Sequence, residues 1–326
     1  MMRPDSALAE TAPGLARLGK VGGAHPTALT AQEAAFFTRF PFLIARFVFQ
    51  AQRAGRLGPY LGPAIRGALG EVLLAQQCGV DPLSCGICEE IPYCAFRCLF
   101  ADESLDQGPA PFVIDAPPRQ SPTLDAGTTF SFRVSLFGQS VALFPAILRA
   151  FGEVAVRGLQ KGKLPCRFLH AEEIYQGTLT PVAELGSSIT FEFLTPMRIK
   201  ADSRFLGKGE LDFASLWHRL RGRLKSIGEF HCGLRPGDFF FPSPPKNVAV
   251  VHDSLRWVHL EHYSFYQRQR NSLGGLMGTI TFAGEIGPYL PYLRLGEITH
   301  VGSGCAYGLG KYKVIVTEDS NERLDQ

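Results

Sequence analysis

Residues 128–157 read TTFSFRVSLFGQSVALFPAILRAFGEVAVR, and this stretch decides the fold. Its first ten residues, 128–137, alternate apolar and polar side chains, which is the period of a half-buried β-strand. From residue 141 to residue 157 the apolar side chains recur every three or four positions, which predicts an amphipathic helix. The side chains on its inward face are Phe144, Ile147, Leu148, Phe151 and Val154. The stretch therefore predicts a strand that leads into a helix packed on a sheet.

The segments around this stretch complete a βαββαβ order that then occurs a second time. In the first half, the other strands are predicted at residues 42–50, 112–114 and 167–175, and the other helix at residues 61–76. In the second half, the strands are predicted at residues 189–194, 248–262, 278–285 and 312–316, and the helices at residues 213–230 and 289–295. The simplest architecture with this order is an α+β fold of two tandem ferredoxin-like domains.

These elements divide the chain into three parts. Residues 1–38 are rich in Ala and Gly and are predicted to form a flexible N-terminal arm. Residues 39–176 form the N-terminal ferredoxin-like domain, which contains a cysteine-rich insertion at residues 78–98. Residues 177–326 form the C-terminal ferredoxin-like domain.

The composition limits the class of protein. A chain of 326 residues that is 45% hydrophobic can bury a sizeable core. The net charge of +3 is too small to indicate nucleic acid by itself, so a basic surface would have to come from clustering. We find no apolar run of the length that a membrane span needs and no signal peptide, and we expect a cytoplasmic protein with no membrane partner.

A glycine-rich loop (residues 300–311) opens the stretch HVGSGCAYGLGKYK at residues 300–313. Glycines allow main-chain N–H groups to approach an anion, lysines add charge, and tyrosines offer faces on which bases can stack. The alternative is an ordinary glycine turn before a last strand. The predicted RNA contacts in this stretch are Gly302, Gly304, Tyr307, Gly308, Gly310, Lys311 and Lys313.

The spacing of these glycines excludes two nucleotide-binding motifs. A Walker A loop needs Ser or Thr after Gly-Lys, whereas Tyr312 follows Lys311. The dinucleotide fingerprint also fails, because neither Gly-x-Gly pair has a third glycine three residues later. We therefore expect no nucleotide cofactor.

Two basic clusters are further candidates for contact with RNA. On the predicted helix 213–230, Arg219 and Arg223 lie one turn apart, opposite the apolar face. Arg268 and Arg270 lie close to three aromatic residues, which is a pattern typical of single-strand binding. An ordinary solvated helix face is the more common explanation for a cluster like the first.

The cysteine-rich insertion contains a pattern of metal ligands. Cys78, Cys85, Cys88 and Cys94 include a C-x-x-C pair and lie within twenty residues, as tetrahedral thiolate coordination requires. A structural zinc site is the sharpest interpretation. An iron–sulfur cluster uses the same ligands, and a loop of free thiols is the third alternative.

Several motifs together resemble a known family. The segments LGPAIRGALG (residues 61–70), FHCG (230–233) and GGLMG (274–278), followed by the glycine-rich loop, are similar to those of the CRISPR-associated RAMP-superfamily endoribonucleases that process precursor CRISPR RNA. The resemblance runs from residue 42 to the end and extends to a subgroup with a cysteine cluster. It implies two ferredoxin-like domains, CRISPR repeat RNA as the substrate, and cleavage within the repeat without a metal ion.

The implied reaction is attack of an RNA 2′-hydroxyl on the adjacent phosphate, which needs alignment, an acid or base, and stabilisation of negative charge. His300, beside the glycine-rich loop, and His231, at the end of the basic helix, are the predicted catalytic residues, although His231 also suits a helix cap. Many members of the family have a histidine near the first helix, where this chain has only Arg66, a further predicted RNA contact.

We expect no cofactor for catalysis, and we expect the product RNA to be handed to other CRISPR effector subunits. The alternatives are a noncatalytic RNA-binding RAMP subunit and a metal-binding scaffold that docks partner proteins through its cysteines.

Overall fold

The computed structural model describes residues 29–77, 94–100, 108–116, 118, 123–159, 164–182, 184, 186–264 and 269–317. At residues 77, 261–264 and 269–271 only the backbone is described. The cysteine-rich insertion up to residue 93 and the first 28 residues of the predicted N-terminal arm lie outside these ranges.

The N-terminal domain contains the predicted βαββαβ order with two short additional strands. After a first helix, α1 (Ala31–Thr38), its elements are β1 (Pro41–Ala51), β2 (Gly55–Arg56), α2 (Gly62–Gln77), α3 (Ala95–Phe100), β3 (Phe112–Asp115), β4 (Thr123–Leu124), β5 (Thr129–Phe137), α4 (Phe144–Arg157) and β6 (Cys166–Thr178). The main sheet is antiparallel with the order β3-β5-β1-β6, which is the strand order of a ferredoxin-like domain.

The alternation of residues 128–137 produces the expected two-sided strand. In β5, Phe130, Phe132 and Val134 point into a core beneath α2 and α4. The ring of Phe132 stacks on that of Phe47 in β1 and lies 5.2 Å from that of Phe151 in α4. Because of this packing, β5 and α4, which are adjacent in sequence, lie in adjacent sheet and helix layers of the domain.

The C-terminal domain repeats the order. Its elements are β7 (Ser188–Met197), β8 (Lys200–Ala201), β9 (Arg204–Phe205), α5 (Phe213–His231), β10 (Val248–Asp253), β11 (Arg256–Val258), β12 (Glu261–Ser264), β13 (Gln269–Ser272), β14 (Gly275–Gly284), α6 (Leu290–Thr299) and β15 (Tyr312–Thr317). The main sheet is antiparallel with the order β10-β14-β7-β15, and β11 also pairs with β14. The prediction of two tandem ferredoxin-like domains is confirmed.

The single strand predicted at residues 248–262 is wrong in detail, because it is broken into β10, β11 and β12. A β-bulge lies between Val250 and His252. After it, the Asp253 carboxylate accepts a hydrogen bond of 2.8 Å from Leu255 N and turns the chain.

The prediction of a flexible arm across residues 1–38 is wrong for its last part, which forms helix α1. Thr30 caps this helix and exchanges hydrogen bonds with Glu33 in a capping box. Phe36 and Phe37 are fully buried, and their rings lie 5.8 and 5.0 Å from that of Tyr292 in the C-terminal domain. The helix therefore belongs to the core that the two domains share.

One stretch of the described residues, Gly138–Arg157, is long and apolar enough to cross a membrane by length and composition. It contains α4, whose Ile147, Ala150 and Phe151 are buried in the N-terminal core. The apolar character of this stretch thus serves the packing of the domain.

Candidate nucleic-acid interface

The glycine-rich loop needs glycine for its own conformation. Gly302, Gly304, Gly308 and Gly310 have φ angles of 94°, 83°, 84° and 69°, which residues with a Cβ rarely adopt. A Cβ on Gly310 would lie 1.8 Å from the carbonyl oxygen of Val301. Packing within the loop therefore accounts for part of the glycine content that the sequence analysis assigned to RNA contact.

Most main-chain N–H groups of the loop are already hydrogen-bonded. Gly310 N donates to Pro196 O at 3.0 Å, Ser303 N donates to Arg198 O at 2.8 Å, and Lys311 N donates to the Thr195 hydroxyl at 2.9 Å. The N–H groups of Gly302 and Gly304 make no hydrogen bond to any described residue, and both glycines are half-buried. These two amides are therefore among those of the loop that are left for an anion.

The N-terminal domain forms one wall around the loop. The Tyr60 hydroxyl donates a hydrogen bond of 2.8 Å to Tyr307 O. Gly62, the first residue of α2, lies so close that a Cβ there would be 1.9 Å from the same oxygen. A Cβ on Gly308 would lie 2.2 Å from Ile114 O of β3. The loop thus lies in the seam between the domains, and no pattern in the sequence indicated the role of Tyr60.

The structure brings together two predicted RNA contacts, Arg66 and Tyr307. The Arg66 guanidinium carbon lies 4.7 Å from the centre of the Tyr307 ring and 4.9 Å from that of Phe100, and its Nη1 donates to the Tyr307 hydroxyl at 3.3 Å. Burial lowers the pKa of Arg66, although an arginine stays charged at neutral pH. No carboxylate of the described residues pairs with it, and its buried Nε has no partner there. Arg66 is therefore a cation available to a phosphate.

Lys311 is held by an acid that the sequence analysis missed. Its Nζ donates to both carboxylate oxygens of Asp115, at 2.8 and 3.1 Å. Burial disfavours ionisation of Asp115, but Lys311 and the nearby His300 bring its pKa below the usual value. The only sequence signal was an acid that ends the apolar strand at residues 112–114. Lys311 consequently ties the two domains together and is partly neutralised.

His300 lies in the interior and anchors the glycine-rich loop. It ends α6 with a φ of 61° and is only 2% exposed. Its Nδ1–H donates to Leu309 O at 3.2 Å. Burial lowers its pKa to about 4, so the ring is neutral at pH 7. Its predicted catalytic role stays a prediction, and contact with RNA would require the loop to move.

His231 is also an interior residue. It ends α5, is 6% exposed, and its Nε2–H donates to Pro109 O of the N-terminal domain at 2.7 Å. Burial lowers its pKa. Its buried Nδ1 has no partner among the described residues. In this conformation His231 holds the domain seam, and its predicted catalytic role also stays a prediction.

The remaining predicted cations are distributed unevenly. Arg223 turns inward and donates from Nε to Thr299 O at 2.7 Å, while Arg219 is half-buried on the same side of α5. Lys313 lies on β15 opposite Glu192 of β7. Arg268 lies outside the described residues, and only the backbone of Arg270, on β13, is described. The structure therefore gathers Arg223, Arg66 and Lys311 around the loop.

Three of the four predicted metal ligands, Cys78, Cys85 and Cys88, lie outside the described residues. Cys94 and Cys98 are half-buried one turn apart, and burial, with Cys94 nearby, raises the pKa of Cys98. Among the described residues, no three His, Cys, Asp or Glu side chains come together as a metal site. The zinc site stays a prediction.

Two protein-family models match the chain, and the boundary between the two matches falls within β7, near the start of the C-terminal domain. A family model described as an N-terminal domain matches residues 40–190. The model of the CRISPR-associated endoribonuclease Cas6 matches residues 191–312, which include the whole glycine-rich loop. An uncharacterized protein of Archaeoglobus fulgidus is 24% identical over 282 residues, covering 79% of this chain and 92% of that protein.

Solved structures share the fold. A product complex of Thermus thermophilus Cas6 has a TM-score of 0.53 and 19% identity, and the match covers 84% of this chain and 100% of that chain. A partial Cas6-RT-Cas1–Cas2 complex also has a TM-score of 0.53, with 14% identity. That match covers 85% of this chain but only 46% of the other.

Proposed function

We propose that this chain, whose C-terminal domain belongs to the Cas6 family of CRISPR-associated endoribonucleases, cuts precursor CRISPR RNA within its repeats. The observation that carries this proposal is the position of the glycine-rich loop. It lies within the Cas6 match and packs through Tyr307 against Arg66 and Tyr60 at the domain seam. A phosphate at this seam would meet one unpaired guanidinium and the free amides of Gly302 and Gly304.

The proposed reaction is an internal transesterification that needs no metal ion. The 2′-oxygen attacks the adjacent phosphorus, its proton passes to a base, and the P–O5′ bond breaks. The 5′-oxygen takes a proton, which leaves a 2′,3′-cyclic phosphate and a 5′-hydroxyl. Arg66 would stabilise the negative charge that develops on the phosphate.

The proposed catalytic residues are His300 and His231, the two histidines that the sequence predicts for this role. Both rings are buried and have lowered pKa values, so both are neutral at pH 7 and can accept the proton of the 2′-hydroxyl. The imidazolium formed in this way can then give a proton to the 5′-oxygen. Access to RNA would require the His231 ring to separate from Pro109 O and the His300 ring to separate from Leu309 O, its partner within the glycine-rich loop.

We further propose that the product stays bound and passes to other CRISPR effector subunits in the cytoplasm. The resemblance to the Cas6-RT-Cas1–Cas2 complex supports a role beside other CRISPR proteins, although that likeness shows only the fold.

The test uses labelled cognate repeat RNA in excess EDTA, beside the same RNA with a 2′-deoxy sugar at the cut. Cleavage of the first RNA alone, with a cyclic phosphate on the product, is the expected result. Cleavage that stops when EDTA is added would overturn the metal-independent mechanism.

A second candidate is a noncatalytic RNA-binding RAMP subunit. The burial of both histidines favours it, as does the absence of histidine from α2. In the same assay this candidate predicts tight binding of both RNAs and cleavage of neither.

A further inference from the structure

A short hairpin lies next to the glycine-rich loop. Its strands are β8 and β9, and its turn residues, Asp202 and Ser203, have φ angles of 47° and 70°. Two left-handed residues in succession form a tight hairpin turn whose twist matches that of the strands. The hairpin is joined to the loop, because Arg198 O accepts the hydrogen bond from Ser303 N at 2.8 Å.

An ion pair and a main-chain hydrogen bond stabilise the hairpin. The Arg204 guanidinium forms two hydrogen bonds of 2.7 and 2.6 Å with the Glu210 carboxylate. Leu206 N donates to Ile199 O at 2.9 Å. These contacts hold the hairpin, and with it its side chains, in position before a ligand binds.

Two cationic side chains lie against the ring of Phe205 in this hairpin. Lys200 and Phe205 are directly opposite in the β8–β9 register, and Lys200 Nζ lies 5.4 Å from the centre of the Phe205 ring. The Arg198 guanidinium carbon lies 4.2 Å from the same centre. The buried Nε of Arg198 has no partner among the described residues, and no carboxylate there pairs with Arg198 or Lys200.

A tryptophan extends this face. The ring centre of Trp257 lies 6.4 Å from that of Phe205, and β11 holds Trp257 opposite Leu276 of β14. Both rings are half-buried, and the neighbouring Arg256 is exposed. Two partly exposed rings beside unpaired cations are the features of a surface that stacks unpaired bases and attracts their phosphates.

We propose that Phe205 and Trp257, together with Arg198 and Lys200, form a stacking subsite for unpaired bases of RNA. The subsite rests on the proposed function, since it would bind the part of the RNA strand that extends from the glycine-rich loop past Ser303. Its ligand is single-stranded RNA of any sequence, because every base has a face that can stack.

The chain contains two tryptophans, and only one lies on this surface, so fluorescence can report on the subsite. Trp217 is 1% exposed in the core, and Trp217→Phe leaves Trp257 as the sole emitter. Adding an unstructured RNA oligonucleotide to this variant should quench its emission. The matched control is Trp257→Phe, in which the buried Trp217 emits and should not respond.

Binding of labelled RNA, followed by anisotropy, gives an independent measure in the otherwise unchanged chain. Trp257→Ala should weaken binding of the unstructured RNA by roughly 5- to 100-fold, the usual effect of losing one stacking partner. Phe240→Ala, which removes an exposed ring outside the hairpin, should leave binding unchanged.

RNA binding that leaves the Trp257 emission and the affinity of Trp257→Ala unchanged would overturn the subsite and leave the proposed function standing. Failure of the unchanged chain to bind repeat RNA at all would overturn both. Quenching together with the loss of affinity would establish the subsite.

Discussion

Asp115, at the end of β3, accepts two hydrogen bonds from the ammonium of Lys311, which lies 196 residues later in the other domain. The side chain of Asp115 is 11% exposed and that of Lys311 is 22% exposed, so water screens the pair only partly. This contact fixes the start of β15 against the N-terminal sheet and thereby sets where the glycine-rich loop can lie.

Replacing Asp115 should therefore loosen the seam. We expect Asp115→Asn to lower the free energy of unfolding by about 3 kcal/mol, because Lys311 keeps a largely buried charge without its partner. Urea unfolding at pH 7 measures this loss. The double variant Asp115→Asn with Lys311→Met should recover part of the stability, and a further loss equal to that of the first change would contradict the pairing.

The burial of His300 makes stability depend on pH. The pKa of this ring falls from 6.5 to about 4 on folding, so the unfolded chain binds a proton more readily. The free energy of unfolding should thus decrease as the pH falls from 7 to 4, by about 3 kcal/mol from this group. Its His300→Gln variant should show a shallower dependence in urea unfolding at several pH values.

Asp115 acts in a lower pH range. Its folded pKa is below its usual value, so its contribution to the free energy of unfolding is present above pH 4 and is lost as the pH falls further.

The exposed His218 provides the control for the His300→Gln variant. The His218→Gln variant should keep the dependence of the free energy of unfolding on pH between pH 7 and pH 4. An unchanged slope in His300→Gln would show that this ring is not buried in the neutral form.

Replacing a glycine of the loop by alanine should lower the free energy of unfolding more than the same replacement elsewhere. Gly310→Ala combines a strained φ with an approach of 1.8 Å to Val301 O, and we expect a loss of more than about 3 kcal/mol. Gly209→Ala is the matched control, because Gly209 has a φ of 77° and open space around its missing Cβ. It should cost only about 1 kcal/mol in the same urea titration. Equal losses would mean that the close approach to Val301 is absent in solution.

Arg66 should affect catalysis more than binding. Arg66→Met removes the guanidinium from Tyr307, and we expect the single-turnover cleavage rate to fall about 100-fold, as for the loss of one donor to a transition-state charge. RNA affinity should fall less than about tenfold, because many other contacts remain. Arg149→Met, an exposed arginine on α4, is the control. A normal rate in Arg66→Met would exclude Arg66 from the reaction.

The predicted zinc site can be tested by elemental analysis. We expect about one zinc ion per chain, lost in Cys88→Ser and kept in Cys166→Ser, whose cysteine is buried apart from the insertion. Iron with sulfide would identify a cluster instead, and protein free of both metals would remove the site. RNA cleavage should continue in EDTA in either case.

The sequence predicts the elements that have strong periodicity. The alternation at residues 128–137 and the helical periods at residues 141–157 and 213–230 correspond to β5, α4 and α5. Their side chains reveal which face is buried before any contact is known. The helix at residues 31–38 lacked such a signal, since its eight residues offer only two buried rings and its packing partner Tyr292 is far away in sequence.

The candidate site was less predictable, because its geometry depends on contacts between domains. The pattern of the loop located Tyr307 and its glycines, and the single cation of α2 pointed to Arg66. Nothing local indicated that His300 would turn inward with a positive φ. The partners Tyr60 and Asp115 were invisible for the same reason, because a hydrogen bond across more than 190 residues leaves no periodic trace.

The fit between Gly62 and Tyr307 O leaves no room for even a methyl group between the domains. The loop belongs to the C-terminal domain in sequence, but its shape depends on its contacts with the N-terminal domain. A C-terminal domain grafted from a distant homologue would arrive with a loop shaped for a different neighbour. Chimeras should therefore succeed only when residues 60–66 are exchanged along with residues 300–311.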